Sequence, residues 1–415
     1  MRPERNHEGG GERAELVTLD DLFEARQRLR AARVLRPTPV DRSDSFSRLA
    51  GRTVWLKPEQ QQRTGSFKIR GAYNHVCRLP PGQEVVAASA GNHAQGVALA
   101  AALTDRKATI YMPAQAPLPK VEATRGYGAT VQSLGDSVDD CIQTAREDAE
   151  DRGAAFVPPF DDLDVIAGQG TAGLELVDEV PDAQVVAVAV GGGGWISGIG
   201  GAFAHLRPET RVIGVEAAGA DSMVASLRAG RPVTLRRMRT MADGIAVKAP
   251  SELTLAHVQA FVDDVVTVGE EEISQALVLL LERAKAVVEP SGAAALAAVL
   301  AGRLPGSGPV VAVLGGGNID PLLLTKVIDH GLSAAGRYLA VRVLLDDQPG
   351  SLARLTGQVA RLGLNVLAVE HHRSGLDLPM AAVEVLLTVE TRNALHSDEI
   401  LEGLRAAGFD VALAR

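Results

Sequence analysis

Val185-Val186-Ala187-Val188-Ala189-Val190-Gly191-Gly192-Gly193-Gly194-Trp195-Ile196-Ser197 decides the fold of this chain. Six apolar residues in a row, rich in β-branched valine, predict a short strand buried on both faces. Four glycines end it, and a helix is expected near Ser197 to His205. The same order recurs at Glu84 to Ala88, where a predicted strand is followed by a helix from Gly91 to about Leu103. Further strands are expected at Ala108 to Met112, Arg211 to Glu216 and Val310 to Leu314. Short apolar strands separated by helices predict an α/β fold with mostly parallel sheet and helices on both faces. The glycine clusters fall at the carboxyl ends of strands, where such sheets bind ligands.

The motifs at those strand ends carry chemistry. Glycines at Gly191, Gly192, Gly193 and Gly194 let backbone N–H groups converge on an anion without Cβ obstruction, and the helix that follows adds positive potential. A turn that only packs strand on helix needs fewer glycines. The spacing does not fit GxGxxG with a partner acid, which disfavours a dinucleotide. Arg63-Thr64-Gly65-Ser66-Phe67-Lys68-Ile69-Arg70-Gly71-Ala72 puts Lys68 in the first turn of a predicted helix. The positive helix end disfavours its ammonium form and favours the nucleophilic amine. Ser89-Ala90-Gly91-Asn92-His93-Ala94-Gln95-Gly96 also opens a helix after a strand. Its amides suit a second anion such as a substrate carboxylate, and Asn92 could meet a phenolate oxygen; an ordinary N-cap by Ser89 or Asn92 is the plainer reading. Gly315-Gly316-Gly317-Asn318 is either a close backbone approach to a flat ring or a plain loop. Glu216, with carbonyls near Ala220, could hold a hard cation or be a surface carboxylate. A buried lysine with a glycine phosphate cradle is what pyridoxal phosphate chemistry needs.

Bulk properties exclude other classes. The 415 residues carry a net charge of −9 and no long basic run, so nucleic acid and anionic membrane are not expected partners. Only Cys77 and Cys141 occur, without CxxC, which fits a reducing cytoplasm. Residues 1 to 16 read as a polar disordered tail without an apolar signal region. No HExxH, Cys/His cluster or GxSxG is present, and His371 and His372 are adjacent on a predicted strand and point to opposite faces. Beyond a linker at Ser333 to Arg337, strands, helices and strands follow in the order βαββαβ to the C-terminus, a ferredoxin-like unit. The expected domains are a catalytic body over 17–332, with a small subdomain at about 59–160, and a second domain over 337–415.

Taken together, Arg63 to Ala72, Ser89 to Gly96, Pro158-Pro159-Phe160-Asp161-Asp162, Ile166 to Thr171, Gly191 to Gly194, Ala242-Asp243-Gly244 and Val313 to Asp320 resemble the threonine ammonia-lyases, also called threonine dehydratases. These are fold type II pyridoxal phosphate enzymes of the tryptophan-synthase-β-like kind. The likeness covers about residues 20 to 330, and residues 338 to 415 resemble a single ACT regulatory domain. The resemblance implies two parallel-sheet subdomains with pyridoxal 5'-phosphate between them. It implies that Lys68 carries the cofactor and takes the Cα proton. Phe67 would flank the ring, Asn92 would hold its phenolate oxygen, and Gly315 would lie beside it. Gly191 to Gly194 and the Trp195 amide would hold the phosphate. Ser89, Ala90, Gly91, Asn92 and His93 would surround the substrate carboxylate. Glu216 and the Ala220 carbonyl fall where relatives hold a structural monovalent or divalent cation. Gly350 and Asn365 fall near the usual ACT ligand site, with isoleucine the implied effector and isoleucine biosynthesis the implied setting. The implied assembly is a homo-oligomer, dimer or tetramer. The implied reaction is elimination of water from L-threonine, and from L-serine, giving 2-oxobutyrate or pyruvate plus ammonia.

Four positions depart from the family pattern. Gly315 stands where serine is usual, Trp195 where leucine or methionine is usual, Gln60 where asparagine is common, and Ser222 where the related serine racemases carry an aspartate. Restoring the hydroxyl with Gly315→Ser is expected to tighten cofactor binding modestly. The rival readings are a racemase, a lyase for another small hydroxy amino acid such as serine or 3-hydroxyaspartate, and a catalytically weak amino-acid sensor. Racemases of this family have serine at the position of Ala90, which offers no proton.

Overall fold

Buried valine strands and the glycine turns after them build two parallel sheets, and a third, antiparallel sheet follows. The computed structural model describes residues 15–334, 336–373 and 381–414. Most of the expected N-terminal tail and Ala335 of the expected linker lie outside these residues. The chain divides into two compact units, Met1–Leu324 and Thr325–Arg415.

In the first unit the strands are β1 (Asp41–Arg42), β2 (Val54–Lys57), β3 (Val85–Ala88), β4 (Ala108–Met112), β5 (Thr130–Ser133), β6 (Ala155–Phe156), β7 (Val185–Ala189), β8 (Arg211–Ala217), β9 (Asp264–Val268) and β10 (Val310–Val313). The larger sheet runs β1-β2-β10-β7-β8-β9, parallel throughout except for the antiparallel edge strand β1. Every residue of β7 and of β10 is buried, as expected of strands covered on both faces. The smaller sheet, β5-β4-β3-β6, is entirely parallel. Each sheet has its own core. Val186, Val188, Ile196, Ile199 and Phe203 pack in the larger body. Val85, Ala87, Val97 and Ile110 pack in the smaller one.

The helix Lys68–Val76 joins the two bodies. Gly96 of the helix Asn92–Leu103 lies so close that a Cβ there would come within 3.2 Å of the Lys68 carbonyl carbon. On its other side it meets the helix Leu163–Glu179. Arg70, fully buried, donates to both carboxylate oxygens of Glu59 at 2.7 and 2.8 Å and to both of Glu175 at 2.8 and 2.9 Å. Buried Lys57 of β2 reaches Glu175 at 2.7 Å and Glu179 at 3.1 Å. Burial opposes these charges, but Glu59 and Glu175 outweigh it and push the Arg70 guanidinium above its ordinary value. Burial likewise opposes the Glu175 carboxylate, while Arg70 and then Lys57 hold it down at about 2.

The second unit contains β11 (Tyr338–Asp346), the helix Ser351–Arg361, β12 (Val366–His372), β13 (Ala382–Glu390), the helix Ala394–Ala406 and β14 (Asp410–Leu413). Its sheet order is β12-β13-β11-β14, antiparallel at every pairing. This is the ferredoxin-like arrangement expected from the element order. β11 and β13 alternate buried and open residues, as a sheet covered on one face requires. Edge strand β12 is exposed along its whole length, including Leu367 at 47% and Val369 at 41%.

Candidate active site

Four helices of the first unit begin at one cleft, and no side chain caps any of them. They start at Lys68, Asn92, Gly194 and Pro290. Uncapped helix ends present unpaired N–H groups and positive potential, so the cleft is built for anions. Its volume is about 660 Å³. Lys68, Phe67, Ser89 to His93, Gly191 to Trp195 and Gly315 all line it, so the sequence motifs do meet in space. The plainer reading of Ser89 and Asn92 as N-caps is not what forms. Ser89 Oγ instead accepts from the Gly91 N–H at 3.1 Å. Asn92 Nδ2 donates to Glu289 Oε1 at 2.6 Å, and its Oδ1 accepts from Asn318 Nδ2 at 2.8 Å.

Lys68 opens its helix and donates to the Pro159 carbonyl at 2.8 Å. Burial lowers its amine from 10.5 to about 8, with the Glu289 charge pulling the other way. Desolvation, rather than the helix end expected from the sequence, is the dominant cause. Glu289 is the residue that sequence reasoning missed. Burial, and then the Asp243 charge, push its carboxyl above the usual range, while Ser291 Oγ donates to it at 2.8 Å. Gly316 must be glycine for this contact, since a Cβ there would stand 2.4 Å from Glu289 Oε1. His93 lines the cleft beside Asn92. Its ring is buried against the Val157 carbonyl at 2.9 Å, and burial drops its pKa to about 3, so it stays neutral.

The glycine loop is tightly enclosed. Gly193 has φ +93, a left-handed conformation natural to glycine. A Cβ on Gly192 would lie 2.2 Å from the Phe160 ring. Close packing against Phe160 and an open helix end therefore coexist in one loop. Gly315 faces the Trp195 indole, which stacks on the Phe67 ring with centroids 3.8 Å apart and planes 3° from parallel. A Cβ on Gly315 would come within 2.9 Å of Trp195 Cζ3. The expected benefit of Gly315→Ser therefore does not follow: the serine Cβ would crowd the Trp195 indole.

Across the cleft mouth, Lys120 pairs with Asp243 at 2.8 Å, and Lys248 pairs with Asp139. Glu216 and Ala220 are buried outside the cleft. Both Glu216 oxygens accept backbone N–H groups, from Met223 at 2.8 Å and Val224 at 2.9 Å, at the start of the helix Ser222–Ala229. Burial pushes this carboxyl up to about 7. Gly350 and Asn365 lie in the second unit: Gly350 precedes the helix Ser351–Arg361 with φ +94, and Asn365 Nδ2 donates to Glu390 at 3.3 Å.

The donor set fits pyridoxal phosphate. Open helix ends suit a phosphate and a carboxylate, the Phe67–Trp195 wall is flat and apolar, and Lys68 has a depressed amine pKa.

The family model for pyridoxal-phosphate dependent enzymes matches residues 31–316. The chain is 46% identical over 402 residues to an L-threonine ammonia-lyase of Thermotoga maritima, covering 96% of this chain and all of that protein. Among solved structures it is similar to the processed form of threonine deaminase isoform 2 from Solanum lycopersicum, with a TM-score of 0.70 and 35% identity over 78% of this chain and 98% of that one. It is also similar to a maize serine racemase, with a TM-score of 0.72 and 34% identity over 77% of this chain and 99% of that one. The chain belongs to the pyridoxal-phosphate dependent enzymes, among the threonine ammonia-lyases.

Proposed function

We propose that this protein is a pyridoxal phosphate-dependent L-threonine ammonia-lyase that also accepts L-serine. The observation that carries the reading is the Lys68 amine, poised near pH 8 where four open helix ends converge. Gly191 to Gly194 and the Trp195 amide would hold the phosphate, Asn92 the phenolate oxygen, and Lys68 the carbonyl carbon. When bound, the cofactor supplies an electron sink that acidifies the substrate Cα–H. The amides of Ser89 to His93 orient the substrate carboxylate, and Lys68 Nζ takes the Cα proton. The Ala90 side chain has no acidic proton to return to Cα. The β-hydroxyl leaves as water, taking up a proton that balances the one removed from Cα, and hydrolysis of the released imine consumes one water and frees ammonia. Threonine thus yields 2-oxobutyrate and serine yields pyruvate.

The test is a coupled 2-oxo acid assay across L-threonine, L-serine and 3-hydroxyaspartate, with chiral chromatography of recovered serine. Turnover of threonine without D-serine supports the reading. D-serine in amounts comparable to pyruvate would make the protein a racemase, and Lys68→Ala retaining elimination would remove Lys68 from its role.

We propose that the second unit is a regulatory amino-acid sensor for isoleucine, and that the protein is a homo-oligomer, dimer or tetramer. The open β12 edge supports pairing, because an exposed apolar edge strand favours strand addition by a second copy. Leu367→Lys with Val369→Lys should lower the oligomeric mass by sedimentation; an unchanged mass assigns assembly elsewhere. A threonine saturation curve that isoleucine does not move in the full-length protein ends the sensing proposal for that ligand. A monovalent or divalent cation held by Glu216 and the Ala220 carbonyl would neutralise a buried carboxylate. Potassium or magnesium should then raise the thermal midpoint of the wild type and not of Glu216→Gln.

A further inference from the structure

We propose that Trp195 is a positioning residue for the cofactor ring, and that position 315 is glycine because the indole occupies its side-chain space. The two positions then work as one unit. This inference rests on the pyridoxal phosphate reading above.

Residues 195 and 315 are far apart in sequence but follow neighbouring strands, since β7 and β10 pair in the larger sheet. A Cβ built on Gly315 lies 2.9 Å from Trp195 Cζ3, 3.4 Å from Cη2 and 3.7 Å from Phe67 Cδ1. Gly315 is not among the residues with positive φ, so its backbone would accept an L side chain. What forbids a side chain there is the indole. Trp195 is only 5% exposed, and among the described residues no group accepts a hydrogen bond from its Nε1. Its placement therefore rests on packing alone: the stack on Phe67 and the space over Gly315. Phe67 in turn immediately precedes Lys68, whose Nζ lies 5.3 Å from the Phe67 ring centroid. One apolar wall thus runs from Gly315 through Trp195 and Phe67 to the reactive lysine. The Trp195 backbone N–H, in the first turn of the helix after the glycine loop, also belongs to the anion end of the cleft. A side chain at 315 must displace the indole, and the indole cannot move without releasing Phe67.

The experiment is a double-mutant cycle read by binding and spectroscopy. Trp55→Phe leaves Trp195 as the sole tryptophan, since the chain has two. In that background G315A, G315S, W195L and W195L/G315S are compared. Filling a packed space disturbs neighbours, so G315A and G315S should each weaken pyridoxal phosphate binding by about tenfold or more. G315A should also shift Trp195 emission in the cofactor-free protein and the absorbance maximum of bound cofactor. Coupled neighbours are non-additive, so W195L/G315S should bind the cofactor at least about fivefold more tightly than G315S alone. The proposal is overturned if G315A leaves emission and binding as in the parent, or if the double variant shows the product of the single effects. Should G315S not fold, G315A carries the same test with one methyl group. If the parent protein itself fails to bind pyridoxal phosphate, the functional reading falls. The emission of G315A in cofactor-free protein still decides the coupling in that case.

Discussion

Lys68 should capture pyridoxal phosphate with a pH dependence set by its buried amine. Burial lowers that amine from 10.5 to about 8. At pH 7 an amine of pKa 8 is about 9% neutral, against about 0.03% for an ordinary lysine, a ratio of about 300. Only the neutral amine attacks a carbonyl. The second-order rate of cofactor capture by cofactor-free protein should therefore rise about tenfold per pH unit up to about pH 8 and level off above it. Stopped-flow absorbance between pH 6 and pH 10 at fixed ionic strength is the assay. Glu289→Gln supplies the control of sign: the Glu289 charge raises the Lys68 pKa, so its removal should move the break to lower pH. A rate that keeps climbing toward pH 10.5 would mean a solvated lysine and refute the reasoning. Stability follows the same linkage. A lysine whose folded pKa is depressed binds fewer protons folded than unfolded between about pH 8 and 10.5, so the cofactor-free protein should gain stability as pH rises through that window.

Three other perturbations follow from the geometry. Arg70→Leu leaves Glu59 without its buried cation and Glu175 with Lys57 alone, which costs about 3–5 kcal/mol, and the thermal midpoint should fall by about 4–7 °C. Gly192→Ala drives a methyl into Phe160, a cost of about 1–3 kcal/mol, so equilibrium dialysis should show cofactor affinity down by about tenfold or more. Lys248→Ala removes an exposed pair with Asp139, 46% and 55% open, which solvent screens. KM for threonine should rise by less than about fivefold with kcat unchanged; a large fall in kcat would place Lys248 in the chemistry.

What the sequence made legible was local. Lys68, the glycine loop and Ser89 to His93 each sit where the chain enters a helix, and that transition can be read from a dozen residues. Glu289 could not be read this way. It looks like an ordinary residue ahead of Pro290 and a helix, and its partner Asn92 is 197 positions away. Arg70 reads as one more charge on a helix, yet it is fully buried, because the carboxylates that hold it come from another helix and a separate short turn. Trp195 and Gly315 were visible as two separate oddities. Only the pairing of β7 with β10 makes them a single one.

The site's precision comes from fixing the lysine helix to both bodies by unlike means. Toward the smaller sheet the fit is steric: a Cβ on Gly96 would crowd the Lys68 backbone at 3.2 Å. Toward the larger sheet, glycines also permit close approach. A Cβ on Gly71 would fall 2.7 Å from the Val165 carbonyl oxygen, and one on Gly168 would fall 2.6 Å from that of Arg70. Close helix contact alone would still allow sliding, because apolar packing is weakly directional. The bidentate pairs of Arg70 with Glu59 and Glu175, continued to Lys57, are directional, and Arg70, Glu59 and Lys57 are fully buried. A buried ion network of this kind need not add net stability, since replacing it with apolar residues is often neutral. What it adds is one register. Shifting the helix by a single turn would part Arg70 from both carboxylates and leave Arg70 and Glu59 buried without their ion-pair partner, while Glu175 would keep Lys57. The charge ladder two residues beyond Lys68 therefore holds the amine, with its depressed pKa, at the convergence of the helix ends.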